Sequence, residues 1–308
     1  MALLKDKIGS AEVWRAGFSL DRLAPAHLIE IVAAIAADVR PVLKPPLPEG
    51  RQAVVMLIHD VEEALPDDPR GLLSVRRGTE ACLEAEARQG FRATYNLVGD
   101  FGPMIGDLGR RMVAEGHEVA SHGLSHRVMA DLSEADVRSE VKGSEDRIRG
   151  ITGIEIQGFR SPRSRWSGSL LKVLSEKGYL WNAEADDSPY PYPIPLDDAG
   201  RVIRLPVAAD DWDFVKRNAS PRAVLKLWQR EVRSAMERGA WIALGSHPSV
   251  LGVHPERTET FRDFLAWLAD QEVKIMTAGE GAAWWRSRTW DQNSATSFPR
   301  NQIRANRE

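Results

Sequence analysis

Residues 53–98 contain the unit that decides the fold: the apolar run AVVMLI (53–58), a helical pattern over 75–89, and a second apolar run, ATYNLV (93–98). Short runs rich in β-branched residues are typical of strands buried on both faces, and a helix that connects two such strands makes them parallel. Gly90 directly follows the helical pattern, where a left-handed helix end favours glycine. The segment therefore predicts one β-α-β unit of a parallel sheet.

The same alternation continues to residue 283. Further apolar runs with strand composition cover 118–121, 155–159, 179–182, 202–207, 241–246 and 273–276. Helical patterns lie between most of them, at 104–115, 134–149, 169–177, 221–238 and 259–270. About eight strands that alternate with helices predict an α/β fold, either a (β/α) barrel or, as the less favoured alternative, an open doubly wound sheet.

The two ends of the chain differ from this central region. Residues 1–50 contain one helical pattern, 26–39, and a proline-rich connector at 41–48 that cannot be regular helix. Residues 284–308 are polar and have no periodic apolar face. We therefore predict an N-terminal helical arm with its connector (1–50), a barrel domain (51–283) and a polar C-terminal tail (284–308).

Composition excludes several classes of function. The chain has 308 residues with 41 basic and 44 acidic side chains, a formal net charge of −3, which gives no basic footprint for nucleic acid. No segment has the length of a membrane span or the apolar core of a signal peptide, so we expect a cytoplasmic location. The single cysteine, Cys82, excludes a disulfide framework and a zinc site of several cysteines. Whether the chain forms a homo-oligomer stays open.

Polar side chains follow four of the predicted strands. In chain order they are Asp60, Glu62, His122, His126, Arg160 and His247. Taken singly, they could be an acidic loop, a surface histidine pair, a surface arginine and a core histidine. A parallel barrel, however, collects the carboxyl ends of its strands at one rim, where barrel enzymes place their chemistry. We therefore expect these side chains to lie close together.

The residue types at this rim suggest a metal site beside acid–base groups. His122 and His126 are four apart, a spacing typical of zinc ligands, and two histidines with one carboxylate leave coordination positions open. Arg160 could hold a carboxylate ionised, and His247 is a candidate general acid or base.

The order of these motifs resembles the polysaccharide deacetylase family (carbohydrate esterase family 4) over about residues 50–280. The most specific pieces are HGLSH (122–126), preceded by GHEV (116–119), and RSP (160–162); ATYN (93–96) resembles the strand that usually reads ATFF. The resemblance implies a distorted (β/α) barrel with about seven parallel strands. It also implies metal-dependent hydrolysis of a non-peptide C–N bond, in the first place deacetylation of an N-acetylated sugar or polysaccharide.

The resemblance also implies a role for each residue. Asp60 matches the catalytic base, Arg160 the residue that orients it, and His247 the late histidine that acts as general acid. The implied ligands of a divalent metal, zinc in the first place, are Glu62, His122 and His126. The residues expected to contact an oligosaccharide or small-molecule substrate are Tyr95, Trp166, Asp211 and Trp212.

One departure from the family pattern keeps alternatives open. The first motif usually reads T-F-D-D-G, but here Val61 stands where the second Asp would ligate the metal, so Glu62 would take over. The Asp-x-Glu form resembles a subgroup with peptidoglycan-deacetylase-like and allantoinase-like members. The alternatives are a cyclic amide hydrolase of the allantoinase or imidase kind, with or without a metal, and a non-catalytic carbohydrate-binding relative. The retained Asp60, Arg160 and His247 argue against the latter.

Overall fold

The computed structural model describes residues 47–186, 188–194 and 202–289. The predicted N-terminal helix, almost all of the proline-rich connector and residues 290–308 of the predicted tail lie outside these residues. Across the described ranges, no helix combines the length and the apolar character needed to cross a membrane.

The described residues alternate strands with helices along the chain. The strands are β1 Ala53–Val61, β2 Thr94–Leu97, β3 Glu118–Ser121, β4 Gly158–Arg160, β5 Trp181–Ala185, β6 Tyr192–Pro193, β7 Ile203–Ala209, β8 Trp241–Ser246 and β9 Val273–Met276. The α-helices are α1 Leu72–Gln89, α2 Gly106–Ala114, α3 Glu134–Thr152, α4 Gly168–Glu176, α5 Asp213–Lys216, α6 Pro221–Arg238, α7 Pro248–Leu251, α8 Pro255–Ala269 and α9 Ala278–Thr289.

Seven parallel strands close into a barrel in the order β1-β2-β3-β4-β5-β7-β8, which confirms the predicted fold. The ring is distorted at β1. Its last residues, Ile58–Val61, pair with β2, whereas its first residues, Ala53–Met56, pair with β9. The last predicted run, 273–276, is therefore a strand that lies beside β1, below the point where β2 joins it. Strand β6 adds an antiparallel pair to β7.

Side chains of successive residues on β1 point to opposite faces. Val54, Met56 and Ile58 belong to the apolar cluster inside the barrel, whereas Val55 and Leu57 belong to the cluster between the barrel and its helices. The alternation continues beyond the apolar run, so Asp60, two residues after Ile58, points to the inner face.

Helix α9 covers the amino-terminal end of the barrel. Trp285 is 1% exposed and belongs to the interior cluster, and Trp284 packs on Trp241 with 5.0 Å between ring centroids. The helix runs to Thr289, so the boundary predicted at residue 283 is corrected: residues 284–289 are helical. The apolar surface comes from adjacent tryptophans rather than from a periodic stripe, which is why the pattern does not reveal it.

Close packing of α7 on α1 fixes the chain just after His247. A Cβ atom on Gly78 would lie 2.0 Å from the carbonyl oxygen of Pro248, and one on Gly252 would lie 1.8 Å from that of Ser74. Only glycine permits this approach of the two backbones. The position of the β8 end therefore depends on a contact with α1.

Candidate active site

Asp60 lies at the carboxyl end of β1 and is 2% exposed. Its Oδ2 accepts a hydrogen bond from Arg160 Nε at 2.7 Å, and its Oδ1 accepts one from Asn96 Nδ2 at 2.7 Å. Burial opposes ionisation of Asp60, but the Arg160 guanidinium and the nearby His122 and His247 outweigh it, so the pKa of this carboxyl is well below its usual value. Asp60 is therefore a buried carboxylate that stays ionised.

His247 follows β8 and is held by Asp211. Its Nδ1 lies 2.6 Å from Asp211 Oδ1, and its backbone N–H donates to Asp211 Oδ2 at 3.0 Å. Burial opposes protonation of His247, but the Asp211 carboxylate and Asp60 overcome it, so the pKa of the imidazole is well above its usual value. Burial raises the pKa of Asp211, against the effect of its bonds to His247.

The second ring nitrogen of His247 faces two partners of opposite character. His247 Nε2 lies 3.5 Å from Asp60 Oδ2, which favours a proton on Nε2, and 3.0 Å from Nε1 of Trp212. The indole N–H can donate only to an unprotonated Nε2, so this contact favours the neutral imidazole. Trp212 thus opposes the effect of the carboxylates on the pKa of His247, and the carboxylates prevail.

Glu62, His122 and His126 bring one ligand atom each to within 4.8 Å of one another. Glu62 Oε2 is 3.5 Å from His122 Nε2 and 2.8 Å from His126 Nε2. His122 Nδ1 lies 2.9 Å from the carbonyl oxygen of Arg160, an acceptor that fixes the orientation of the ring. These donors are the ones that zinc and similar divalent ions prefer.

The trio fits a divalent ion on a further observation. His126 Nε2 is shielded from solvent and makes no hydrogen bond, because its close approach to Glu62 lacks hydrogen-bond geometry. His126 also has a left-handed backbone, φ 58°, which is uncommon for a non-glycine residue and often marks a functional position. Its Nδ1 lies 2.9 Å from Glu63 Oε1, a contact that orients the ring. An unpartnered imidazole nitrogen beside an ionised carboxylate is what a cation would satisfy.

Arg160 connects this trio to the acid–base pair. Its guanidinium binds Asp60, while its backbone carbonyl accepts from His122. The guanidinium is itself fixed by Ser164 Oγ at 3.1 Å and the carbonyl oxygen of Ala183 at 3.3 Å. The six polar residues predicted at four strand ends therefore form one contiguous group at the barrel mouth.

The side chains of Tyr95 and Trp166 are buried, and their predicted contacts with a substrate stay predictions. Tyr95 is 0% exposed and points to the helix side of β2, where its hydroxyl donates to Glu86 Oε2 at 2.6 Å. Trp166 packs in the apolar cluster around α3 and α4, with the Arg204 guanidinium 4.4 Å from its ring centroid. Neither side chain lies beside Asp60, because each belongs to the layer between barrel and helices.

Asp211 and Trp212 lie at the site but contact His247. Asp211 is 0% exposed and holds the imidazole, and its predicted contact with a substrate stays a prediction. The Asn96 side chain contacts Asp60, which was not predicted from the sequence. Its register partner on β1 is Asp60. Strand alternation places Asn96, not Tyr95, on the inner face, and that was the available signal.

The sequence model of the family described as polysaccharide deacetylase matches residues 54–181. Residues 54–181 are therefore similar to the polysaccharide deacetylase family. The matched segment includes Asp60, Arg160 and the whole Glu62, His122, His126 trio, whereas Asp211 and His247 come later in the chain. The deacetylase match thus covers the strands from β1 to the start of β5.

Relatives of known name share part of this domain. A chitooligosaccharide deacetylase of Sinorhizobium fredii is 28% identical over 113 residues, which are 35% of this chain and 53% of the relative. The chain spans between 38% and 53% of the length of three curated relatives that it matches.

Solved structures share the fold over most of the described chain. A putative polysaccharide deacetylase from Mycobacterium smegmatis superposes with a TM-score of 0.72 at 22% identity, covering 84% of this chain and 99% of that one. Puue allantoinase superposes with a TM-score of 0.71 at 17% identity, covering 81% of this chain and 96% of that one. At these identities the likeness establishes the barrel fold only. The chemistry has to be inferred from the residues of the site.

Proposed function

We propose that this protein is a hydrolase of non-peptide C–N bonds that removes the acetyl group from an N-acetylated sugar or oligosaccharide with the help of a divalent metal ion. The observation that carries the proposal is the arrangement around Asp60. The Asp60 carboxylate lies 3.5 Å from the imidazole of His247, and its partner Arg160 also contacts the His122 ligand. A base, an acid and a metal-type donor set share one rim of the barrel.

The residues of this chain divide the reaction between them. Glu62, His122 and His126 would hold the ion, which supplies Lewis-acid activation of a carbonyl and of water when bound. Asp60 accepts the proton of the attacking water, and its bonds from Arg160 and Asn96 keep the carboxylate ionised and oriented. His247 delivers a proton from Nε2 to the departing amine nitrogen. The products are acetate and the free amino sugar.

An assay with two probes, penta-N-acetylchitopentaose and hydantoin, tests the proposal. Protein supplied with Zn²⁺ is incubated with penta-N-acetylchitopentaose, and released acetate and free amine are measured. We expect both products in equal amounts, and release at least about 100-fold slower with Asp60→Asn. Binding of the pentasaccharide without release of acetate, under any of Zn²⁺, Co²⁺ or Mn²⁺, would contradict the proposal and favour a non-catalytic carbohydrate-binding protein.

A cyclic amide hydrolase is the second candidate, and Val61 favours it. Val61 is 0% exposed and points to the helix side, so the position where the deacetylase motif has its second Asp provides no ligand here. Ring opening of hydantoin produces a carboxylate and no acetate, so the same assay separates the two reactions. The predicted cytoplasmic location stays a prediction.

Loss of His122 is expected to weaken metal binding. Groups that only orient a metal ligand are typically worth about 10–100-fold in affinity, so His122→Ala should reduce Zn²⁺ affinity at least that much. Competition with a chromophoric chelator measures the change without reference to activity. His254→Ala is the matched control, because His254 is a half-exposed histidine paired only loosely with Glu256. Equal affinity in the two variants would remove His122 from the metal site.

A further inference from the structure

A second group of polar side chains lies behind the candidate active site, between the barrel wall and α1. His59 Nδ1 lies 2.6 Å from Ser246 Oγ, and His59 Nε2 lies 2.5 Å from Glu86 Oε1. The Tyr95 hydroxyl donates to the other oxygen of Glu86, Oε2, at 2.6 Å. We call these four residues the Glu86 network. All four are at most 2% exposed.

The Glu86 network has the composition of a nucleophilic triad but not its setting. A serine, a histidine and a carboxylate that are joined by successive hydrogen bonds resemble the group that activates a serine hydroxyl. Here the serine is 2% exposed and the histidine 1%, and the histidine binds Glu86 of a helix that covers the outer face of the barrel. A substrate could not reach Ser246 without separating α1 from the barrel, so nucleophilic catalysis is excluded for this group.

The strand register shows what the network is attached to. His59 pairs with Tyr95 on β2 and with Ser246 on β8. Each of these three outward-facing residues directly precedes an inward-facing residue of the site: Asp60, Asn96 and His247, respectively. Successive strand residues point to opposite faces, so a clamp on the outer face fixes the next side chain on the inner face.

The network also spans a short overlap between two strands of the ring. Strand β1 pairs with β2 only through Ile58–Val61, since β9 occupies its first half. The Glu86 carboxylate, which comes from α1, binds His59 of β1 and Tyr95 of β2 in this short overlap. Through Ser246, the same imidazole reaches β8.

We propose that Glu86 is a positioning residue, which holds β2, β1 and β8 at a fixed spacing and thereby sets the distance between Asp60 and His247. Its importance for turnover rests on the proposed function, but its effect on geometry does not. Misplacement of a catalytic group by about 1 Å can reduce turnover about 100-fold, so the clamp acts on kcat rather than on substrate affinity.

Two variants of Glu86 test this role. Glu86→Leu removes both acceptors, and we expect kcat for the pentasaccharide to fall up to about 100-fold with KM and Zn²⁺ stoichiometry unchanged. Glu86→Gln keeps one acceptor oxygen and should recover most of the loss. If the Leu variant does not fold, the Gln variant carries the test by itself: we expect a smaller but measurable loss of kcat, and wild-type kcat would overturn the proposal.

Glu118→Leu is the matched control. Glu118 is also a carboxylate in the barrel wall, accepting from Thr94 Oγ1 at 2.7 Å and Trp181 Nε1 at 2.9 Å, but it lies at the opposite end of the barrel. We expect its loss to lower the free energy of unfolding without changing kcat of the folded protein. Equal kcat losses in both variants would reduce Glu86 to a general structural role.

A crystallographic comparison tests the geometry independently of activity. In Glu86→Leu, we expect the distance between His247 Nε2 and Asp60 Oδ2 to change by about 1 Å. In Glu118→Leu, the same distance should stay near its present value. An unchanged distance in the Glu86 variant would overturn the proposal. If wild-type protein hydrolyses neither probe, the proposed function fails, and the distance still decides whether Glu86 positions the pair.

Discussion

Replacement of Asp60 by asparagine is expected to reduce kcat at least about 100-fold, because a positioned general base typically contributes about 10²–10⁴ to the rate. An amide has nearly the shape of the carboxylate and can keep one of the two bonds from Arg160 and Asn96, but it cannot take a proton from water. Steady-state kinetics on the better of the two probes measures the loss, and circular dichroism establishes that the barrel is intact.

The same substitution removes the counter-charge of a buried guanidinium. Removal of one partner of a buried ion pair typically lowers the free energy of unfolding by about 3–5 kcal/mol. Urea denaturation should therefore show a destabilised but folded protein. Asp107→Asn is the control: Asp107 pairs with Arg76 at 2.6 Å on the surface, and its loss should leave both kcat and stability almost unchanged. Near-wild-type kcat in Asp60→Asn would show that another group is the base.

The polar residues at the strand ends were predictable because of how a parallel barrel is built. Each polar residue type has an ordinary explanation where it occurs, and only closure of the ring makes them neighbours. Glu62 and His126 are separated by two strands and two α-helices in sequence, yet their side chains approach to 2.8 Å. The repeating β-α-β pattern carries that information, because it determines which ends of the strands meet.

The inward-facing side chains of the site were less predictable, since they depend on a single step of strand register. Tyr95 and Asn96 are adjacent on β2, and one faces α1 while the other faces Asp60. A motif comparison identifies the strand but not its inner face. Only pairing with β1 decides between the two residues.

Asp211 illustrates a different limit. A carboxylate beside a tryptophan at the barrel rim is compatible with binding a substrate or with binding a histidine 36 positions later, and the choice depends on burial. The described structure leaves Asp211 no exposed surface. The Glu86 network could not be predicted from the sequence either, because its members come from three strands and a helix and form no local motif.

Asp211→Asn is expected to move the alkaline limb of the pH–kcat profile to lower pH. The general acid His247 must be protonated to act, so activity is present below its pKa and is lost as the pH rises through it. Asp211 is the main group that raises this pKa against burial, and without its negative charge the pKa of His247 should fall. We expect a displacement of at least about one pH unit and, at a pH above both limbs, a kcat about tenfold lower for each unit of displacement.

Trp212→Phe provides a matched test of opposite sign. Phenylalanine keeps an aromatic ring beside the imidazole, where the ring centroids are 5.0 Å apart, but it removes the N–H that lies 3.0 Å from His247 Nε2. Since that donor favours the neutral imidazole, its loss should raise the pKa of His247 and move the alkaline limb to higher pH. NMR titration of the His247 ring in each variant should follow the kinetic limb. If the limb stays in place in Asp211→Asn while the ring pKa falls, His247 is not the acid.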